Sequence, residues 1–207
     1  MTLRSLALNC SLKASPSPSS TQVLLDQLNA ELARHGCETR TIRIADLNIK
    51  PGVTSDEGDG DEWPQVRKAI LDSDILVLGS PIWLGQPSSL VKRVLERMDA
   101  FLGETDDEGR YVSYGMVGVA AVVGNEDGAH HVSAELFQAM NEVGFTIPAS
   151  AVTYWVGEAM QTTDYIDLDD VPEKTERATQ MVARNAVHLA RLLKDEQYPG
   201  AGHPKEQ

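Results

Sequence analysis

Cysteine is nearly missing from this chain of 207 residues, which holds only Cys10 and Cys37. Two thiols cannot make a disulfide framework, nor a four-cysteine metal or cluster site. Basic residues are also scarce: 18 Lys and Arg stand against 31 Asp and Glu, a net charge of −13 and a pI near 4.7. Nucleic-acid sites depend on clustered Lys and Arg, so this balance argues against a phosphate-backbone binder and equally against an anionic membrane surface. No stretch approaches the ~20 apolar residues of a membrane span. The start, MTLRSLALN, has one Arg, a very short apolar run and no small-residue cleavage site, unlike a secretory signal. A reduced, cytoplasmic, soluble protein is the expectation.

What the chain does have is a hydrophobic content of 42%, enough to fill the core of one domain of this length. The domain is expected over 1–196. The tail 197–207, with Pro199, Gly200, Gly202 and Pro204, is expected to fray. Leu3 to Asn9 reads as a short strand, followed by the loop CSLKASPSPS and a helix that starts near Ser19 or Ser20 and stops at Gly36. Thr39 to Ala45 alternates as a second strand, nearer a sheet edge. A polar, acidic segment, 48–62, leads into a helix over 63–72. DILVLGS and YGMVGVAAVVG are continuous apolar runs, the mark of strands buried on both faces. The first is followed by a helix from Pro87, whose apolar stripe runs from Leu90 to Leu102. The second precedes a helix over 129–144. Ser150 to Val156 is a fifth strand, and Pro172 opens a long last helix.

Strands alternating with helices specify a parallel sheet covered on both faces. Five strands favour the doubly wound order 2-1-3-4-5 over the six-stranded 3-2-1-4-5-6. In that order strands 1 and 3 lie side by side but send their chains to opposite faces, opening a crevice at their carboxyl ends. The loops after strands 1, 3 and 4 therefore carry the candidate site.

The first of these loops holds Ser11, Lys13, Ser15, Ser17, Ser19, Ser20 and Thr21 just before a helix. Hydroxyls, helix-terminal N–H groups and one ammonium are what a phosphate requires. The bland alternative is a turn whose serines only cap the helix. The second loop, SPIWLGQ, brings Pro81, Ile82, Trp83, Leu84 and Gly85, with Trp83 offering a flat apolar surface to a ring or packing on its own helix. The third, GNEDGAHH, brings Gly124, Asn125, Asp127, Gly128 and His130. Its amides and helix N-terminus suit a polar ring edge or a developing negative charge.

Several chemistries are excluded. There is no GxGxxG and no GxxxxGK[ST], which disfavours a dinucleotide held by its pyrophosphate and an NTPase. A thiol phosphatase needs Arg six residues after its cysteine, and that position is Pro16. Cys10 reads instead as a small buried residue. His130 and His131 are adjacent on a helix, about 100° apart, and no further ligand has suitable spacing, so no metal is expected. DEGDGDE, 56–62, fails the calcium-loop pattern and reads, like TDDEG at 105–109, as a solvated loop.

NCSLKASPSPSSTQVLL, SPIWLGQPSSLVKRVLERMD, GNEDGAHH and the last helix NAVHLARLL together resemble the NADPH-dependent FMN reductase family of flavodoxin-like oxidoreductases. Ser11 and Lys13 stand where that family has Ser and Arg, and Ser20 and Thr21 where it has Asn and Thr. The first loop is longer and richer in proline than the family pattern. The four cysteines of the related iron–sulfur flavoproteins are absent, so no cluster is implied. The resemblance implies FMN bound non-covalently, its phosphate at the first loop and its ring between the second and third. NADPH or NADH would be the donor, and a flavin, quinone, azo or nitro compound the acceptor. It also implies a homodimer or homotetramer. Catalytic side chains are not required, because the flavin carries the chemistry. Two alternatives stay open: a flavodoxin-type electron carrier, which the acidity suits, and a flavodoxin-like binding protein without flavin.

Overall fold

The computed structural model describes residues 2–158 and 160–201. Its strands are β1 (Leu3–Asn9), β2 (Cys37–Arg43), β3 (Ile75–Trp83), the two-residue β4 (Gln86–Pro87), β5 (Val117–Gly124) and β6 (Val152–Val156). Its α-helices are α1 (Ser20–Arg34), α2 (Trp63–Leu71), α3 (Ser89–Met98), α4 (Ala129–Glu142) and α5 (Glu173–Asp195). The parallel sheet runs β2-β1-β3-β5-β6, the flavodoxin-like order expected from the alternation, and β4 folds back on β3.

Period-two placement along the central strands divides the interior in two. Leu6, Leu8, Leu76, Leu78, Ala120 and Val122 face α2, α3 and α4. Leu3, Ala7, Ile75, Val77, Val119 and Ala121 face α1 and α5. β5 is buried on both sides, which is why its sequence shows no polar alternation.

Several boundaries differ from the sequence expectation. β2 is shifted to Cys37–Arg43, because Ile44–Asp46 tightens into a 3-10 turn that buries Ile44. β3 continues to Trp83 rather than stopping at Ser80, and its last two residues pair with β4. Pro87 therefore sits in a strand, not in a helix. Ser88 is the cap of α3, its hydroxyl accepting from Val91 N. The fourth long strand begins at Val117, since Ser113 and Met116 close a turn in which Met116 N donates to Ser113 O (3.1 Å).

The acidic segment is not simply solvated. The side chains of Asp61 and Arg97 are fully buried and meet at 2.8 Å. Arg97 also donates to Lys50 O (3.0 Å) and Thr54 O (2.9 Å), so one guanidinium gathers backbone oxygens that no strand or helix satisfies. At the other end of the chain, Gln197 Nε2 donates to Tyr114 O and Tyr198 meets Thr146. Residues 202–207 lie outside the described residues.

Candidate functional site

The chain leaves β1 towards α1 on one face and leaves β3 towards α3 on the other. Between these diverging exits lies a cavity of about 380 Å³. Its floor is tied across the sheet: Cys10 N donates to Gly79 O (2.9 Å), and Ser88 Oγ donates to Cys10 O (2.7 Å). Burial pushes the Cys10 thiol well above its ordinary range, which keeps it an inert packing group.

The first loop is held at its start and at its middle. Asn9, fully buried at the end of β1, accepts from Ser11 N (2.9 Å) and donates to Gln22 of α1 (2.8 Å). Asp46 accepts from Ser15 N (2.6 Å) and Ser15 Oγ (2.8 Å). Those two bonds hold the Asp46 carboxyl below its usual range.

Three loop hydroxyls share one arrangement. Ser11 Oγ accepts from Arg43 Nη2 (3.3 Å), Ser19 Oγ from Gln22 N (3.1 Å) and Ser20 Oγ from Ile166 N (3.2 Å). Each oxygen thus takes a bond from inside the protein, and its own proton is left to donate. All three residues line the cavity, as do Lys13 and the buried Thr21. No acidic residue stands in the first turn of α1. A ring of hydroxyl donors at a helix N-terminus, with one ammonium, fits a phosphate group.

From the second loop the cavity takes Pro81, Ile82 and Trp83, and from the third Gly124 and Asn125. Trp83 is half-exposed at the rim rather than packed on its helix. Five expected residues stand back from the lining. Leu84 is 90% exposed at φ +52°, and its N–H donates to Glu126 Oε1 (2.9 Å). Gly85 and Gly128 abut, and Asp127 accepts from Gly128 N (2.9 Å). His130 meets Tyr154 OH (3.2 Å), while His131 turns to Gln86 and Glu135.

Asp164 and Tyr165 also line the cavity, although neither was among the expected residues. They belong to the segment 157–171 after β6, extra length for a single electron-carrier domain and, from sequence, a candidate pocket wall or oligomer contact. Asp164 accepts from Asn125 Nδ2 (3.0 Å), and Tyr165 OH donates to Gln27 (2.6 Å). Burial raises the Tyr165 phenol above its usual range. Asp164 and Tyr165 thus strap the third loop to α1.

Among known proteins, the chain is 37% identical, over 98% of its length, to the divalent metal cation transporter MntH of Mycobacterium bovis, of which it spans only 30%. No helix among the described residues is long and apolar enough to cross a membrane. It is 32% identical to 8-demethyl-8-aminoriboflavin-5'-phosphate synthase of Streptomyces davaonensis, over 96% of this chain and 81% of that protein. A crystal structure of RosB with bound 8-demethyl-8-formylriboflavin-5'-phosphate superposes with a TM-score of 0.87 at 31% identity, covering 95% of this chain and 82% of that one. An NADH:FMN oxidoreductase shares the fold at 17% identity and a TM-score of 0.61, covering 99% and 97%. The family model for NADPH-dependent FMN reductase matches residues 3–161. The chain belongs to the NADPH-dependent FMN reductase family.

Proposed function

We propose that this protein is an FMN-dependent oxidoreductase that takes a hydride from NADPH or NADH and passes the electrons to a small acceptor, a flavin, quinone, azo or nitro compound. The observation that carries the reading is the set of hydroxyls at Ser11, Ser19 and Ser20, each accepting a bond from within the protein and so free to donate, placed in one cavity lining with Lys13 at the start of α1. These residues would hold the 5'-phosphate. Pro81, Ile82 and Trp83 would bound the ring on one side, and Gly124 and Asn125 on the other. When bound, FMN supplies the hydride and electron chemistry.

The chain's own residues bind, orient and exclude water. Asn9 and Asp46 keep the phosphate loop from collapsing into the cavity. The bond from Leu84 N to Glu126 sets the second loop against the third, leaving Trp83 at the mouth, where donor and acceptor would enter. Asp164 and Tyr165 wall one side of the cavity. A cytoplasmic location and a homodimer or homotetramer complete the reading. Two free, buried cysteines agree with the former, and the adjacent exposed apolar side chains of Trp83 and Leu84 support the latter.

A second reading treats the flavin as the substrate. It is favoured by the TM-score of 0.87 to a protein seen with a formylated riboflavin 5'-phosphate. Fluorescence titration with FMN, followed by NADH and NADPH oxidation across the four acceptor classes, tests the first. Mass analysis of the recovered flavin tests the second: unmodified FMN after many turnovers supports the cofactor role, and an altered 8-methyl group supports the substrate role. Protein that stays colourless and ignores added FMN overturns both.

A further inference from the structure

We infer that Arg43 makes this site select a 5'-phosphorylated flavin over an unphosphorylated one, by turning the Ser11 hydroxyl outwards and fixing a positive charge behind it. This rests on the phosphate reading of the first loop. Arg43 is the last residue of β2, and the parallel register sets it beside Asn9, the last residue of β1. From there its Nη2 reaches Ser11 Oγ at 3.3 Å. A hydroxyl carries one proton and two lone pairs, so an oxygen that accepts from a guanidinium keeps its proton for another partner. A charged donor also polarises the hydroxyl and strengthens the bond it gives in turn.

The guanidinium is only partly used by the protein. Its Nε–H is buried without an acceptor, although a buried orphan donor is costly. Asp46 is near enough to feel the charge of Arg43 but makes no ion pair with it within 4.0 Å, its two oxygens accepting from Ser15 instead. The positive charge is therefore not consumed in a tight ion pair.

The charge ledger of the cavity gives Arg43 its importance. Lys13 is the one cationic side chain in the lining, it is exposed on a flexible stem, and Asp164 stands in the same lining with the opposite sign. A phosphate monoester carries between one and two negative charges near neutral pH. In a molecule of net charge −13, a second fixed cation behind the loop offsets that burden. Riboflavin, which lacks the phosphate, gains nothing from it.

The test is a fluorescence titration of wild type, Arg43→Gln and Arg43→Lys with FMN and with riboflavin at low salt. Arg43→Gln should lose roughly tenfold or more in FMN affinity, the scale of one charge-assisted bond, with riboflavin affinity unchanged. Arg43→Lys should restore most of the FMN preference. An equal loss for both flavins makes Arg43 merely a structural residue and overturns the inference, as does no loss at all. Should Arg43→Gln not fold, Ser11→Ala replaces it: the FMN preference must shrink, and an unchanged preference overturns the inference. A wild type that binds both flavins alike, or neither, overturns the phosphate reading itself. A wild type that prefers FMN beside an Arg43→Gln that prefers it equally overturns the role of Arg43 alone.

Discussion

A Cβ placed on Gly128 would lie 2.7 Å from the Cα of Gly85 and 3.0 Å from its carbonyl oxygen. The second and third loops of the site therefore touch backbone to backbone, and no side chain fits between them. Gly128 has φ +128°, a conformation side-chain-bearing residues rarely adopt. The exposed bond from Leu84 N to Glu126 runs between the same two loops. Together these contacts fix the mouth that Trp83 borders.

Gly128→Ala should part the two loops. The strained backbone alone costs about 1–3 kcal/mol, and the clash with Gly85 displaces backbone rather than a yielding side chain. Lower thermal stability together with weaker FMN binding is the expected result. Gly36→Ala is the control: its φ is +88° but nothing lies within 4 Å of the added Cβ. It should lose stability and keep flavin affinity, and equal effects of the two variants on binding would refute the loop contact's role.

Asp61→Asn should destabilise the protein by about 3–5 kcal/mol, because it leaves the buried Arg97 guanidinium without its counter-ion. The pair also predicts an acid dependence. Burial raises the Asp61 carboxyl, but bonds from Glu57 N, Arg97, Trp63 N and Lys50 N outweigh it and bring it down from 3.8 to about 2. A folded pKa below the unfolded one means stability that is complete above pH ~4 and is lost as pH falls towards ~2. Urea unfolding between pH 2 and 6 should show this slope in wild type and a shallower one in Asp61→Asn.

Lys13→Ala should weaken FMN binding about tenfold and reduce its salt dependence, with little change in thermal stability, since the side chain is exposed. Flavin titrations at two ionic strengths measure both effects. Unchanged FMN affinity would remove Lys13 from the site.

Trp83 should report flavin binding directly. Of the three tryptophans, Trp63 is fully buried, Trp155 packs behind the cavity wall on Tyr165 (ring centroids 5.3 Å apart) and Trp83 is half-exposed at the cavity rim. Added FMN should quench the emission, and Trp83→Phe should remove a large part of that quenching. Trp83→Phe should also keep FMN affinity within a few-fold, because Phe retains an aromatic face. Quenching that survives intact in Trp83→Phe and in the double variant with Trp155→Phe would place the ring elsewhere.

Much of the cavity's lining was legible in the sequence. Ten of the fifteen expected residues line the cavity, because loops at the carboxyl ends of β1, β3 and β5 converge wherever the doubly wound order holds. The boundaries were less legible. Pro87 reads locally as a helix start, yet the hairpin it forms with Ile82 overrides that preference. DEGDGDE reads as solvent-facing, since nothing near it in sequence offers Asp61 a buried partner.

The amino-acid sequence by itself determined the alternation of strands and helices, the two strands buried on both faces and the hydroxyl-rich first loop. Each of these is a local pattern, carried by residues within a few positions of one another. Only the tertiary structure decided that Arg43 stands behind Ser11, that Asp164 and Tyr165 wall the cavity and that Arg97 neutralises Asp61. Arg43 and Ser11 are 32 residues apart, and Tyr165 and its partner Gln27 are 138 apart. Such pairs exist through strand register and helix packing, and a charged or polar side chain carries no local mark of the distant group that will satisfy it.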